Sequence, residues 1–128
     1  MPGYFHEKAS IVKKTNQMDI VKVLKTNYSK FYNLLAKHKL VKMISSADNL
    51  TIFALSNETL GSIMLSKEKI LDHILQYSRS PPPNYKKMKT FKTLSDIRVS
   101  ATKYKKYIKK SREIITNQGN VYKTDEIL

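Results

Sequence analysis

The 128-residue chain contains no cysteine. That excludes a disulfide framework, a Cys-ligated zinc site, an iron–sulfur cluster and a thiol nucleophile. Glycine is nearly as scarce, and three residues leave no Gly-x-Gly or Walker pattern from which a phosphate-cradling loop is built. No run approaches the ~18 apolar residues of a membrane span. The opening Met1-Pro2-Gly3-Tyr4-Phe5-His6-Glu7-Lys8 lacks the apolar segment of a secretory leader, so none is expected. Acid is also in deficit: 10 Asp and Glu stand against 24 Lys and Arg, a formal net charge of +14. Such a balance invites a polyanion, whether nucleic acid, anionic membrane or sulfated sugar, without choosing among them. Only three of the basic residues are Arg. With Asn, Ile and Tyr plentiful, part of the lysine excess reads as AT-rich codon usage.

What is present is enough for one domain. Hydrophobic residues make up 41% of the chain, which disfavours wholesale disorder. Residues 1–18 are polar and without clear period, an N-terminal arm; residues 19–128 carry the pattern of a folded domain. Asp19 is a good N-cap, with Ile20, Val23 and Leu24 at helical spacing behind it. Asn27-Tyr28-Ser29 interrupts, Ser29 is placed to cap a second helix, and Phe31, Leu34, Leu35 and His38 share one face. Leu50–Leu55 reads as a buried strand. Ser56 is expected to cap a short helix with Leu60, Ile63 and Met64 inward. Ser66 is expected to cap another, whose apolar stripe is Ile70, Leu71, Ile74, Leu75 and Tyr77, stopped by Pro81-Pro82-Pro83. Beyond the prolines, Thr90-Phe91, Ile97-Arg98-Val99, Tyr107-Ile108 and Arg112-Glu113-Ile114-Ile115 are strand-like, and Asn117–Asn120 is a turn. Helices early and strands late predict an α+β fold.

No catalytic constellation emerges. His6, His38 and His73 are far apart and form no His-x-x-x-His metal pattern. Leu60-Gly61-Ser62-Ile63-Met64 lacks the second glycine of a nucleophile elbow. Asp72 and His73, as helical neighbours, point in different directions and make no dyad. His38, on an apolar face, reads as a hydrogen-bonded core residue. No cofactor, metal or small-molecule substrate is inferred, and no enzymatic activity is expected.

Two stretches carry a family resemblance. Asn49-Leu50-Thr51-Ile52-Phe53-Ala54-Leu55-Ser56-Asn57-Glu58 resembles the first signature of fasciclin-like adhesion domains. Gly119-Asn120-Val121-Tyr122-Lys123-Thr124-Asp125-Glu126-Ile127-Leu128 resembles the second. Between them, Leu71–Tyr77 sits where that family has a helix ending in Tyr-His, and Lys92-Thr93-Leu94-Ser95 matches its entry into the next strand. Upstream, Phe31–Leu35 and His38–Val41 match its opening helix and the step after it. The resemblance runs from about Asp19 to Leu128. It implies a single stand-alone domain, a wedge of N-terminal helices packed on a small β-sandwich, and a non-enzymatic protein-interaction or cell-adhesion function. The partner it implies is a receptor, a matrix protein or a second copy. The chain departs from the pattern at Leu55 (usually Pro), Ser78 (usually His), the apparent insertion Gln118, and Tyr122 (usually His). The family's Tyr-His pair, tied to integrin binding in some members, is thus represented by Tyr77 and Ser78, the candidate partner-binding residues. The family is usually extracellular; with no leader expected, an intracellular or particle-associated location also fits, and the sequence leaves the compartment open. Three Asn-x-Ser/Thr sequons, at Asn27, Asn49 and Asn57, do not decide the compartment.

The charge is localised. Residues 86–112 hold Lys86, Lys87, Lys89, Lys92, Arg98, Lys103, Lys105, Lys106, Lys109, Lys110 and Arg112 against one acid, Asp96. Tyr85, Phe91, Tyr104 and Tyr107 are interleaved. One reading makes this a polyanion-binding surface, with Lys103, Lys105, Lys106, Lys109, Lys110 and Arg112 holding phosphates or sulfates and the rings stacking on bases. The other turns Tyr104, Tyr107 and Ile108 inward and leaves the lysines as the solvated faces of a hairpin, where they oppose edge-to-edge aggregation.

Overall fold

Side-chain capping starts three of the helices at the predicted residues. The computed structural model describes residues 18–77 and 81–128. The arm expected over residues 1–18 therefore lies outside the described residues except for Met18, which bridges to Thr116. Asp19 accepts the Lys22 N–H at 3.1 Å and opens α1 (Ile20–Asn27), which buries Ile20, Val23 and Leu24. Next comes α2 (Ser29–Lys37), burying Phe31, Leu34 and Leu35. Ser29 does not cap it, contrary to expectation. Tyr28 holds the N-cap position, and the Ser29 hydroxyl is turned to the Asn57 amide, which donates to it at 3.3 Å. A short α3 (Val41–Ser45) adds Ile44 to the same core.

All of β1 (Leu50–Leu55) is buried, because both faces of its sheet are covered. The four-stranded sheet also contains β2 (Ile74–Gln76), β5 (Ile114–Thr116) and β6 (Gly119–Thr124), in the order β2-β1-β6-β5. β6 runs parallel to β1 in a register from Leu50↔Gly119 to Leu55↔Thr124, while β2 and β5 are antiparallel to their neighbours. Alternation along the strands sorts the two cores. Leu50, Ile52, Ala54 and Val121 face the helices α1–α3, and Phe53, Leu75 and Tyr122 join Phe91, Ala101, Tyr104 and Tyr107 on the other side. Gly119 is required by the parallel pair: its φ is +141°, and a Cβ there would land on the Leu50 carbonyl.

Between β1 and β2 lie α4 (Asn57–Leu60) and α5 (Lys67–Leu71), capped by Ser56 and Ser66, which accept from Thr59 N at 3.2 Å and Lys69 N at 3.1 Å. Two expectations fail here. Ile63 and Met64 do not turn inward but stand 48% and 61% exposed, because Gly61, at φ +53°, ends α4 before them. Nor does α5 continue to Tyr77. It ends at Leu71, and Ile74 and Leu75 pair with Ile52 and Thr51 as a strand. The β-branched Ile74 suits that edge, and a helix there would leave β1 without its outer neighbour. The prolines are consequently not what stops α5.

After them come a 3₁₀ turn (Tyr85–Lys87) and a hairpin of β3 (Thr90–Lys92) and β4 (Arg98–Ser100). A bridge from Leu75 to Thr93 ties this hairpin to the main sheet. The segment expected to be strand at Tyr107-Ile108 is instead α6 (Thr102–Lys110). The protein is thus α+β, with one helix returned to the strand-rich half.

Candidate functional site

The sharpest sequence feature, the basic segment, is organised around α6. Tyr104, Tyr107 and Ile108 recur at i, i+3 and i+4, and this apolar stripe seats the helix on the sheet. Tyr104 meets Phe53 edge-on at 5.1 Å and Phe91 at 5.9 Å, and its hydroxyl donates to the Asp72 carbonyl at 2.8 Å. Burial pushes that hydroxyl's pKa up to about 12, with the Asp72 charge adding to it. Tyr122 stacks on Phe53 at 5.7 Å. The inward placement of Tyr104, Tyr107 and Ile108 is therefore as one reading expected, on a helix and not on a hairpin.

The six cations singled out from the sequence fall into two groups. On one flank of α6, Lys103, Lys106 and Lys110 face the C-terminal segment. Lys106 Nζ lies 2.9 Å and Lys103 Nζ 3.5 Å from the Glu126 carboxylate, and Lys110 Nζ lies 3.8 Å from Asp125. The Tyr107 hydroxyl completes this clamp, shared between Asp125 Oδ1 at 2.5 Å and Glu126 Oε2 at 2.7 Å. That hydrogen bond, then Lys106, holds the Glu126 carboxyl down to about 2. Asp125 is also below its ordinary value, chiefly through Tyr107. The Tyr107 phenol is raised, first by burial and then by the two carboxylates.

On the other flank, Lys105 reaches the 3₁₀ turn and donates to the Lys86 carbonyl at 3.0 Å. Lys109 is exposed beside it and Arg112 just beyond the helix; neither they nor Lys105 forms an ion pair among the described residues. Asp96 is spent on Lys92, at 2.9 Å. Of the rings counted as interleaved, Phe91, Tyr104 and Tyr107 are at most 3% exposed, and Tyr85 is half-buried against the second core.

Tyr77 lies just past β2. Its hydroxyl accepts the Lys92 N–H at 2.7 Å, and its ring meets Phe91 edge-on at 6.3 Å. Ser78 lies outside the described residues, as does His6. The remaining histidines are separately engaged. His38, expected as a buried core residue, is hydrogen-bonded but only half-buried, because α2 ends at Lys37 just before it; its Nε2 lies 3.1 Å from the Leu65 carbonyl. His73 is fully buried, with Nδ1 3.1 Å from the Lys69 carbonyl, and its Nε2 accepts the Leu128 N–H at 3.2 Å. Asp72 accepts instead from Ser95 and Thr93. Gln118, an apparent insertion in sequence, proves structural. Its amide donates to Asp19 at 2.7 Å and to the Ser45 carbonyl at 3.1 Å, and its carbonyl oxygen accepts the Ile20 N–H at 2.9 Å.

Sequence reasoning missed one surface. Ile63 and Met64 stand over a cleft between α2 and the end of α4, lined also by Lys30, Asn33, Leu34, Lys37 and Leu60. Lys30 Nζ pins the loop by donating to the Gly61 carbonyl at 2.9 Å. Among the described residues, no group of three or more His, Asp or Glu converges to hold a metal ion. No helix there is long and apolar enough to cross a membrane. No protein-family model and no curated protein matches this chain.

Proposed function

We propose that the protein is a non-enzymatic interaction module of fasciclin-like adhesion type that takes a protein partner on its helical half. The order and spacing of the two signature-like stretches support the family reading. The observation that carries the partner face is the adjacent pair Ile63 and Met64, held 48% and 61% exposed over the cleft. Two neighbouring apolar side chains over an apolar-floored cleft form a patch of the kind that contact surfaces use. Lys30 and Lys37 at its rim fit a partner segment whose apolar side chain is flanked by carboxylates. The test is adhesion of cells to immobilised protein, with self-association measured by sedimentation. Ile63→Asp/Met64→Asp, which alters only exposed positions, is expected to reduce adhesion or self-association at least tenfold. Equal binding by this variant, or neither activity in the parent, would overturn the proposal.

A second reading, a polyanion-binding surface on residues 86–112, is favoured by a separate observation. Lys86, Lys87, Lys89, Arg98, Lys105, Lys109 and Arg112 form no ion pair among the described residues.

A further inference from the structure

The geometry points to a sulfated polysaccharide seated on one flank of α6, with the opposite flank closed to it by the protein's own acids. The inference rests on the polyanion reading and narrows both its residues and its ligand. Lys105 and Lys109, at i and i+4, are neighbours on the helix surface. Lys105 is tethered to the 3₁₀ turn through the Lys86 carbonyl, which brings exposed Lys86 and Lys87 alongside, with exposed Lys89 two residues on. These five cations have no carboxylate partner among the described residues. Lys103, Lys106 and Lys110, by contrast, already face Glu126 and Asp125 at 2.9–3.8 Å, so an incoming polyanion must compete with two carboxylates fixed in place by Tyr107.

The class of polyanion follows from what this flank does not offer. Single-stranded nucleic acid is held by several rings stacked on successive bases, yet Phe91, Tyr104 and Tyr107 are buried in the core and Tyr85 is half-buried against it. Phosphate diesters are favoured by planar guanidinium forks. Of the two arginines in the segment, Arg98 is turned to the Thr90 hydroxyl at 3.0 Å, and Arg112 lies past the C-terminal end of α6. The five cations of this flank and its turn are ammonium point charges, which hold a densely sulfated chain through charge density and need neither base stacking nor a guanidinium fork.

The test measures the Kd of a size-defined heparin oligosaccharide against salt concentration, with single-stranded DNA of equal charge as the competitor class. Lys105→Gln/Lys109→Gln is expected to weaken heparin binding about 25-fold, taking about fivefold for each cation at an anionic surface. Lys86→Gln/Lys87→Gln, which leaves α6 intact, should give a similar loss. Lys103→Gln/Lys110→Gln should change Kd less than fivefold in all, and Glu126→Gln should tighten binding. Failure of the parent to bind heparin or DNA would overturn the polyanion reading itself. Binding lost equally from both flanks would overturn the assignment of the face alone. Tighter binding of DNA than of heparin would overturn the glycan and favour nucleic acid.

Discussion

Acid should destabilise this protein in two separable steps of pH, and the first belongs to His73. The ring is fully buried, so its charge state is decided by its two neighbours and by burial. Nδ1 faces the Lys69 carbonyl at 3.1 Å and must carry the hydrogen, while Nε2 accepts the Leu128 N–H at 3.2 Å. A second proton on Nε2 would point at that N–H and break the contact. Burial lowers the pKa from 6.5 to about 4; the Lys69 charge pulls the same way, and the Lys69 carbonyl and the Asp72 charge oppose it. The unfolded chain therefore accepts a proton that the folded one refuses. The stabilisation is complete above about pH 6.5 and is lost as pH falls toward about 4. The full loss is about 3 kcal/mol, of which about 2 kcal/mol should be gone by pH 5. Urea denaturation at pH steps from 7 to 4 measures it, with His73→Gln as the non-titrating comparison. The depressed carboxyls of Asp96, Asp125 and Glu126 act only below their ordinary values of 3.8 and 4.5, leaving the window above pH 5 to histidine. A flat stability between pH 7 and 5, or the same slope in His73→Gln, would refute the reasoning.

Gly119→Ala should destabilise by more than about 3 kcal/mol, since strain and a backbone clash combine at one position. The new Cβ meets the Leu50 backbone inside the parallel pair, and thermal unfolding reads the loss directly. Tyr107→Phe should raise the Glu126 pKa from about 2 toward its ordinary 4.5, because the Tyr107 hydrogen bond is the largest cause of the depression. A carboxyl NMR titration follows it, and an unmoved Glu126 would mean that Lys106 and Lys103 set its charge without the phenol.

Several elements were legible because their cause is local. Asp19, Ser56 and Ser66 cap helices within three residues of themselves, and the apolar run Leu50–Leu55 is the buried strand it reads as. α6 and β2 were misread for one reason: their composition and their period disagree. Tyr and Ile favour strands, yet in Tyr104, Tyr107 and Ile108 they recur at helical spacing, while Ile74 and Leu75 extend a helical stripe and pair as strand. Context overrides propensity in segments this short. The exposed Ile63-Met64 loop carries a signal in Gly61 before it, a C-cap that the helical reading passed over.

By itself the sequence determined the α+β class, the concentration of charge in residues 86–112, and the absence of any thiol or glycine-loop chemistry. Tertiary structure alone decided which of those charges remain available. Asp125 and Glu126 lie beyond the basic segment in the chain, and the parallel pairing of β6 with β1 carries them back against α6. The same placement buries Tyr104 and Tyr107, which sequence spacing left open for stacking. Charge is a property of residues, but its availability depends on what folding places within about 4 Å, where Coulomb attraction outweighs screening.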